Sequence, residues 1–479
     1  MAANLFQHHW GKLGTRIQLI ESSDIGIVGV GEGSTPQLKA FFDKLGIAER
    51  EWMPRCGATF KTGIEFIGWS DRPGFDRYFH PFPTDLDSHT APLFFHNAHA
   101  RRNGVNVPAH PDPYFVPTAL ARDGLAPLPP ENFPFETSYG YHFDAHRVGA
   151  YLRDVATNRG VEHVDARIAS VEMAADGNVA ALISEDGRRF EADFFVDASG
   201  FRALIIEGAL GEPHRSFADN LFNDSAVVCP TPTRDGGPEV CTRAFAKSAG
   251  WIWEIPLTER VGNGYVYSSR YLDRDHAAAE LRHHLGLAED AEVRHLNMRV
   301  GRIERSWVAN CLAIGLAQGF IEPLEATALH IVIATVEGFI REVDANGAAG
   351  RDRFNAEVAR RYEGIRDYIV CHYRTAPRSD SDYWREATKH DNLSDSLKRI
   401  MTAWFTGANL AQEVLRQGIE GYYSPVSWHC MLAGYGNFPR PDQLRAPSGE
   451  PDMAAVDRFI RGCLMNFPTH RDALARLEA

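Results

Sequence analysis

The chain has 479 residues, which is enough for two or three closely packed lobes, and its 44% hydrophobic and 24% charged content is ordinary for a globular protein. A formal net charge of -13 argues against a general binder of nucleic acids or anionic membranes. No apolar run approaches the ~20 residues that a membrane-spanning helix needs, and the first residues lack the pattern of a signal peptide.

Cysteine usage adds to this picture. The seven cysteines are scattered without a Cys-x-x-Cys pair. This pattern favours reduced thiols in a cytoplasmic protein over a disulfide framework or a metal site.

The N-terminal segment resembles part of a dinucleotide-binding unit. Residues 1–14 are predicted to be a helix that ends at Gly11 and Gly14, and an alternating strand then runs from Arg16 to Ile20. The strand leads into Glu21, an acid at the place where such units hold a ribose hydroxyl. The strand and Gly-x-Gly-x-x-Gly turn that normally precede this helix are not in the sequence, so we expect a short upstream extension that carries them.

A glycine triplet follows, in the order Gly-x-Gly-x-Gly from Gly29 to Gly33, after the apolar run Ile25 to Val28. Its spacing and its position after Glu21 argue against a phosphate-binding loop, and for the glycines alone a surface turn is a reasonable alternative. Thr35-Pro36 then predicts the start of an amphipathic helix over 36–50.

Lys61 lies in an alternating, strand-like stretch, Phe-Lys-Thr-Gly-Ile-Glu-Phe-Ile-Gly-Trp, that begins at Phe60. By composition alone, such a lysine is usually a solvated edge residue. Residues 71–135 are rich in Pro, His and Phe with little periodicity, which predicts long loops over a pocket. This stretch contains His80-Pro81-Phe82.

The middle of the chain predicts a helix from Asp144 to Val155 and then a hairpin-rich sheet over 162–200. Its last run, from Phe194, ends on Asp197-Ala-Ser-Gly. We expect a buried parallel strand here, with polar groups at the carboxyl edge where open α/β sheets bind ligands.

Residues 215–308 predict a second lobe with a largely antiparallel sheet. Within it Trp251 and Trp253 fall on one face of a strand, and Pro256 ends the strand because it has no N–H to donate. On spacing alone, the pair is explained by core packing. The sequence from Asn310 to Leu329 then predicts strand, loop and helix, and the start of that helix favours an anion, although a plain connection is the alternative. Residues 335–479 are predicted to be mainly helical.

Several of these strings together resemble the flavin-dependent tryptophan halogenase family. They are Gly-Val-Gly-Glu-Gly at 29–33, the Lys61 stretch, Trp-Ile-Trp-Glu-Ile-Pro at 251–256, and Gly-Leu-Ala-Gln-Gly-Phe-Ile-Glu-Pro-Leu-Glu-Ala-Thr at 315–327. The resemblance runs from Met1 to about Pro439. It departs from the family at Ala326, where Ser is usual, and at Ala328, where Gly or Ser is frequent.

The resemblance implies an α/β (α+β) fold: a Rossmann-like FAD-binding domain of the aromatic-hydroxylase type, lacking its first strand and phosphate loop. An antiparallel-sheet substrate lobe and a helical C-terminal region complete it. The predicted FAD-binding domain comprises 1–70, 136–214 and 309–340, the substrate and halide lobe 71–135 and 215–308, and the helical region that completes the substrate pocket 341–479.

The resemblance also implies roles for individual residues. Lys61 and Glu325 would be catalytic, and the backbone amides of Thr327 and Ala328 would bind chloride or bromide. The signature consists of Trp251, Trp253, Ile255 and Pro256. The predicted FAD contacts are Glu21, Gly31, Glu32, Gly33, Ile168, Asp197, Gly315, Leu316 and Leu329, and the predicted substrate contacts are His80, Phe82, Tyr422, Tyr423 and Trp428.

The implied reaction uses FADH2, oxygen and halide to make hypohalous acid, which Lys61 directs onto an indole ring. A separate NAD(P)H-dependent flavin reductase would supply the FADH2, and a homodimer is expected by analogy. No Asp or Glu occurs between Gly421 and Pro439 to pair with the ammonium of free tryptophan, so free indole or an indole-containing compound fits equally well. The alternatives are an FAD-dependent aromatic hydroxylase and a non-catalytic relative without the phosphate loop.

Overall fold

A computed structural model describes residues 1–26, 29, 31–449 and 451–478. The predicted apolar run 25–28 and glycine turn 29–33 therefore lie partly outside the described residues. The helices are α1 (Ala2–Trp10), α2 (Gln37–Lys44), α3 (Glu49–Trp52), α4 (Ala91–Arg102), α5 (Val116–Asp123), α6 (Ala145–Asn158), α7 (Arg274–Leu285), α8 (Ala328–Asn346), α9 (Arg351–Thr375), α10 (Asp382–Ala387), α11 (Asp395–Phe405), α12 (Leu410–Gln417), α13 (Pro425–Gly434), α14 (Met453–Leu464) and α15 (His470–Glu478).

The strands are β1 (Gln18–Glu21), β2 (Glu32–Gly33), β3 (Thr59–Lys61), β4 (Gly63–Ile67), β5 (Arg77–Pro81), β6 (Gly140–Phe143), β7 (Glu162–Asp165), β8 (Ile168–Met173), β9 (Val179–Ser184), β10 (Arg189–Glu191), β11 (Phe195–Asp197), β12 (His214–Ser216), β13 (Ser225–Val228), β14 (Thr231–Pro232), β15 (Thr242–Lys247), β16 (Gly250–Pro256), β17 (Arg260–Tyr267), β18 (Arg294–Asn297), β19 (Gly301–Ile303), β20 (Trp307–Val308), β21 (Cys311–Ala313) and β22 (Gly319–Phe320).

Two pairs of parallel strands lie in the part of the chain that the sequence predicts to bind the nucleotide. β1 pairs with β7, and β11 pairs with β21. The predicted buried strand ending at Asp197 is thus confirmed. The carboxyl ends of β11 and β21 bring Asp197 and the turn at Gly315 to one edge, where such sheets bind ligands, and β1 ends at Glu21 in a separate two-stranded sheet. The predicted α/β architecture is confirmed.

The second lobe is built on an eight-stranded sheet with the order β18-β13-β17-β16-β15-β4-β5 and β14 paired to β17. All its pairs are antiparallel except β15 with β4. The strand with the two tryptophans, β16, lies between β15 and β17. The sheet also includes 63–67, which the sequence prediction placed with the FAD-binding residues.

A small antiparallel sheet, β2-β6-β3, supports Lys61. Its register places Gly33 opposite His142, and His142 opposite Thr59. These three residues form one row across the sheet, and Lys61 follows two positions after Thr59. Because strand side chains alternate, Lys61 belongs to the same face as that row.

Two predictions need correction. The single helix predicted over 36–50 ends at Lys44, because Gly46 takes a left-handed conformation (φ 65°) and turns the chain before α3. The loops predicted over 71–135 contain β5, α4 and α5. In α4 the apolar face is narrow, with Phe94 and Ala98 buried and with histidines and arginines around it, so the periodicity is weak.

The C-terminal part of the chain agrees with the sequence prediction. The C-terminal part is helical, and α9 extends for 25 residues. All seven cysteines are free thiols. In the described residues no helix combines the length and apolarity needed to cross a membrane, and no His, Cys, Asp or Glu group could hold a metal ion.

Candidate active site

Lys61 is the buried cation of the site. It closes β3 with a side chain that is 0% exposed, and its Nζ makes no hydrogen bond to the described residues. The Nζ lies 5.3 Å from the centroid of the Phe82 ring. Burial lowers the pKa of Lys61 to about 8, against an opposing effect of Glu325. The solvated-edge alternative is therefore wrong, and a large fraction of Lys61 is a neutral amine at mildly alkaline pH.

We call the buried group of side chains around Lys61, His80, Glu325 and His372 the chamber. Glu325 is its carboxylate. It is also buried, and its Oε1 lies 2.9 Å from Nε2 of His372 and 3.6 Å from Nδ1 of His80, although none of these atoms is aligned for a hydrogen bond. Burial raises the pKa of Glu325, while His80 and Lys61 oppose that rise. Burial lowers the pKa of His372 to about 3, so this imidazole stays neutral.

Aromatic rings line the chamber beside these charged groups. Tyr423 stacks on Tyr368 with 3.5 Å between ring centroids, and Trp428 meets Tyr368 edge-on at 4.7 Å. The indole N–H of Trp428 is buried and has no hydrogen-bond partner among the described residues. Tyr422 is less buried and packs on α9, where a Cβ at Gly364 would lie 2.6 Å from its ring. Two separate segments, 80–82 and 422–428, thus supply the predicted substrate residues.

Sequence reasoning missed three of the chamber's side chains. Tyr368 and His372 project from α9 one turn apart, and Tyr435, just after α13, has its hydroxyl 2.7 Å from Nδ1 of His372. The available signal was the i, i+4 spacing of a tyrosine and a histidine on one helix face. This spacing alone does not distinguish residues of a site from residues that pack in the core.

The predicted halide site has the backbone shape of an anion-binding turn. Ala326 takes a left-handed conformation (φ 55°, ψ 35°), and Thr327 follows in a right-handed one (φ -85°, ψ -10°) as the N-cap of α8. This pair of conformations points successive N–H groups into one concavity. Neither the Thr327 nor the Ala328 amide makes a hydrogen bond within the described residues. The helix dipole adds to their preference for an anion.

The two signature tryptophans share one face of β16, as predicted. Trp251 and Trp253 join the main core, with their rings 6.0 Å apart, while Ile252 packs into a separate cluster on the opposite face. The Trp251 N–H donates to Oε2 of Glu322 at 2.9 Å. Glu322 lies shortly before the predicted halide turn at Ala326 and Thr327, so this hydrogen bond ties β16 to the segment that leads into the turn.

The end of the signature strand is also tied to Lys61. The carbonyl of Pro256 accepts a hydrogen bond from the Thr59 hydroxyl at 2.7 Å. Ile255, beside it, is buried in the main core. The strand ends at Pro256 as predicted, and its carbonyl holds the strand that carries the lysine.

The predicted FAD residues occupy two regions. At the strand edge, Glu21 accepts from the His163 ring and Gly315 has a left-handed φ of 58°. Ile168 begins β8, while Leu316 and Leu329 are partly exposed. Asp197 accepts from Ser199 and from the amides of 205 and 206, so its carboxylate shapes its own loop.

The second region lies next to Lys61. A Cβ at Gly31 would lie 3.3 Å from the Cα of Gly262, and one at Gly33 would lie 3.1 Å from Nζ of Lys61. Burial raises the pKa of Glu32, between them, to about 7. A side chain at either glycine would be crowded by these neighbours, so glycine lets Gly262 and Lys61 lie against this backbone. At the turn of Gly315 a Cβ would meet nothing within 4 Å, so the residues there leave room for a flavin.

Comparison with known proteins decides the family. The family model described as tryptophan halogenase matches residues 1–448. The chain is a member of the tryptophan halogenase family. It is a flavin-dependent halogenase, an oxidoreductase that uses FADH2 and a halide, chloride or bromide. The aromatic hydroxylase alternative is not supported by these comparisons.

Individual relatives agree with this assignment. The halogenase is 35% identical to the 7-chloro-L-tryptophan 6-halogenase KtzR of Kutzneria sp., over 96% of this chain and 94% of the relative. It is 34% identical to the tryptophan 7-halogenase RebH of Lentzea aerocolonigenes, over 93% and 89% of the two chains. The solved structure of Xcc4156, a flavin-dependent halogenase from Xanthomonas campestris, matches with a TM-score of 0.85, 33% identity and coverage of 99% and 95%.

Proposed function

We propose that this halogenase uses Lys61 to direct hypohalous acid onto the carbon of an indole ring. The observation that carries the proposal is the Lys61 amine, which is fully buried beside Glu325 and several aromatic rings and has no hydrogen-bond partner in the described part of the chain. A buried cation that the fold leaves unpaired is costly, and a ligand that accepts its hydrogen bond offsets that cost. Bound reduced FAD, with oxygen, supplies the two-electron oxidation that converts halide to hypohalous acid.

Each group in the site then has a separate role. The amides of Thr327 and Ala328 hold the halide, and Lys61 holds the hypohalous acid by hydrogen bond or as a haloamine. The indole carbon takes the halogen and loses its proton, and the oxygen of the hypohalous acid leaves as water. We assign the acceptance of that proton to Glu325, and the raised pKa of this buried carboxyl supports the assignment.

The strand that carries the two tryptophans, β16, separates oxidation of the halide from halogenation of the indole. Trp251 and Trp253 are buried large rings on the inner face of β16, and Trp251 is fixed by Glu322. We infer that they screen the flavin from the indole, which disfavours direct hydroxylation of the substrate.

The substrate class follows from the charges of the chamber. The segment that carries Tyr422, Tyr423 and Trp428 has no carboxylate, and Glu325 already lies beside His80 and His372. The ammonium of free tryptophan would lack a charge partner from that segment. We therefore infer that an indole without an ammonium group, free or within a larger molecule, is accepted at least as well as tryptophan.

The test is a competition assay with equal amounts of indole and L-tryptophan, supplied with reduced FAD, oxygen and bromide, and analysed by mass spectrometry. We expect brominated indole in at least equal yield to brominated tryptophan, and neither product from Lys61→Ala. Lys12→Ala, which removes an exposed lysine, is the control. Full bromination by Lys61→Ala would overturn the role of Lys61, and exclusive bromination of tryptophan would overturn the substrate class.

A further inference from the structure

A buried hydrogen-bond network joins the segment before the predicted halide turn to helix α9. Within the described part of the chain, Oε2 of Glu322 accepts from the Tyr373 hydroxyl at 2.6 Å, the Asn223 amide at 2.8 Å and the Trp251 indole N–H at 2.9 Å. Glu322 is 0% exposed, and its three donors are also buried. Hydrogen bonds that water does not reach are electrostatically stronger than exposed ones, so this network holds the two segments together.

The direction of the hydrogen bonds at Tyr373 follows from its neighbours. The Asn223 amide nitrogen donates to the Tyr373 oxygen at 2.9 Å, and the amide oxygen of Asn223 accepts from the Tyr383 hydroxyl at 3.1 Å. Because the oxygen of Tyr373 accepts from Asn223, its single proton is free for Oε2 of Glu322. Burial raises the pKa of Glu322, and its three donors oppose that rise. The Tyr373 hydroxyl is thus the link between α9 and Glu322.

Neighbouring residues in the same two segments bring Glu325 and His372 together. His372 directly precedes Tyr373 in α9, and Oε1 of Glu325 lies 2.9 Å from Nε2 of His372. Between Glu322 and Glu325 the chain makes a single 3-10 turn, which a hydrogen bond to the carbonyl of Pro323 closes at 3.0 Å. Proline fixes φ, and the tight turn leaves few free torsions between the two glutamates. A displacement of Glu322 relative to α9 is therefore passed on to Glu325.

We propose that Tyr373, through its hydrogen bond to Glu322, is a positioning residue that holds the Glu325 carboxylate beside His372. The proposal rests on the proposed role of Glu325 as the group that accepts the proton from the halogenated indole carbon. Tyr373 fixes one end of the turn, and His372 faces the carboxylate at the other end. Loss of the Tyr373 hydroxyl removes the first attachment and lets Glu325 move away from the indole.

This arrangement has a consequence for the step in which the proton leaves. In electrophilic substitution of an aromatic ring, the proton is lost after the halogen has bonded, and a well-placed base makes that loss fast. Deuterium on the ring therefore changes the rate little when Glu325 is in place. When Glu325 is displaced, proton loss is slower and the deuterium isotope effect on bromination rises. A purely structural effect that lowers the amount of active enzyme leaves the isotope effect unchanged.

The experiment compares Tyr373→Phe, which removes the hydroxyl and keeps the ring, with wild type on indole and on ring-deuterated indole. The rate of bromoindole formation is measured with reduced FAD, oxygen and bromide. In Tyr373→Phe we expect the rate to fall about tenfold and the isotope effect to exceed that of wild type, because a general base contributes about 10²- to 10⁴-fold and this variant loses part of it. In a Glu325→Gln background, Tyr373→Phe should have no further effect.

The control is Tyr114→Phe, at a buried tyrosine with a matching pair of hydrogen bonds. The Tyr114 hydroxyl accepts from the Asn97 amide at 2.8 Å and donates to the carbonyl of Pro108 at 2.7 Å. Tyr114→Phe should keep the wild-type isotope effect even if the protein becomes less stable. If Tyr373→Phe does not fold, Glu322→Gln, which weakens the acceptor of the same hydrogen bond, replaces it in the comparison.

Two results would overturn the proposal. They are a wild-type isotope effect in Tyr373→Phe, and an equal effect of Tyr373→Phe in the wild-type and Glu325→Gln backgrounds. Glu325→Gln by itself separates the two claims, since a wild-type rate and isotope effect in that variant would contradict the proposed role of Glu325, whatever Tyr373 does. A raised isotope effect in Glu325→Gln with an unchanged one in Tyr373→Phe would contradict only the inference about Tyr373.

Discussion

At the scale of single residues, the environment of Lys61 decides its chemistry. A lysine in water is protonated at any physiological pH and is a poor nucleophile. Here burial lowers the pKa to about 8, and none of the residues that the structure describes accepts a hydrogen bond from the amine. The same desolvation that makes the amine reactive must reduce the stability of the folded state.

We therefore predict that Lys61→Met raises the free energy of unfolding at neutral pH. The folded-state pKa of about 8 is below the ordinary 10.5, so the unfolded chain binds this proton more tightly. The penalty is complete below the folded pKa and disappears as the pH rises to the unfolded value. A shift of this size corresponds to a gain on the order of 3 kcal/mol.

The measurement is denaturant unfolding at a series of pH values. The gap between wild type and Lys61→Met should narrow from pH 8 to 10.5. Lys12→Met, on the surface, should leave the unfolding free energy unchanged. A gap that widens with pH over this range would contradict the assigned direction of the pKa shift.

At the scale of elements, the halide turn depends on one strained backbone position. Ala326 holds a left-handed conformation that costs an L-residue about 1–2 kcal/mol. The following helix α8 and the preceding turn at Pro323 fix both ends of the segment. The strain is located where the amides of Thr327 and Ala328 converge, which suits a binding role.

Replacing Ala326 tests this geometry. Ala326→Val adds a β-branched side chain, which disfavours the left-handed region, so we expect the KM for bromide to rise about tenfold, equivalent to about 1.4 kcal/mol. Ala326→Gly adopts the same conformation freely and should keep the wild-type KM. The readout is bromination of indole at varied bromide, with thermal melting as a check of folding. An unchanged KM in Ala326→Val would remove the turn as the halide site.

At the scale of the whole molecule, one nucleotide site and one substrate chamber are joined by shared elements. The parallel pairs β1–β7 and β11–β21 end at predicted flavin contacts, and β21 leads through the predicted halide turn into α8. Glu322 then links that turn to β16. If the described residues hold a single nucleotide, and that nucleotide is FAD, the electrons that reduce the flavin must come from another protein or from a chemical reductant.

We predict that NAD(P)H and FAD alone give no brominated indole. Adding an NAD(P)H-dependent flavin reductase, or supplying chemically reduced FAD, should restore bromination, because reduced flavin would then reach the site by diffusion. A heat-inactivated reductase is the control. Equal product formation with and without active reductase would show that the halogenase reduces its own flavin.

Much of the fold was predictable from local patterns. The strand ending at Asp197, the two tryptophans on one face of β16, and the helix capped by Asp144 all depend on period and on capping chemistry, which act within a few residues. The helix over 36–50 was wrong because one glycine, Gly46, takes a left-handed turn. Helix propensity could not predict this conformation, because it depends on tertiary contacts as well as on the local sequence.

The sequence by itself determined the family and the identity of the candidate catalytic residues. The reason is that the strings around Lys61, Trp251 and Glu325 are short motifs that can be read in order along the chain. Only the tertiary structure decided what surrounds them. His372 beside Glu325, and Thr242 and His142 beside Lys61, come from strands and helices distant in the chain. Burial and hydrogen-bond direction depend on neighbours in space, and these set the pKa of each group, which no spacing along a chain encodes.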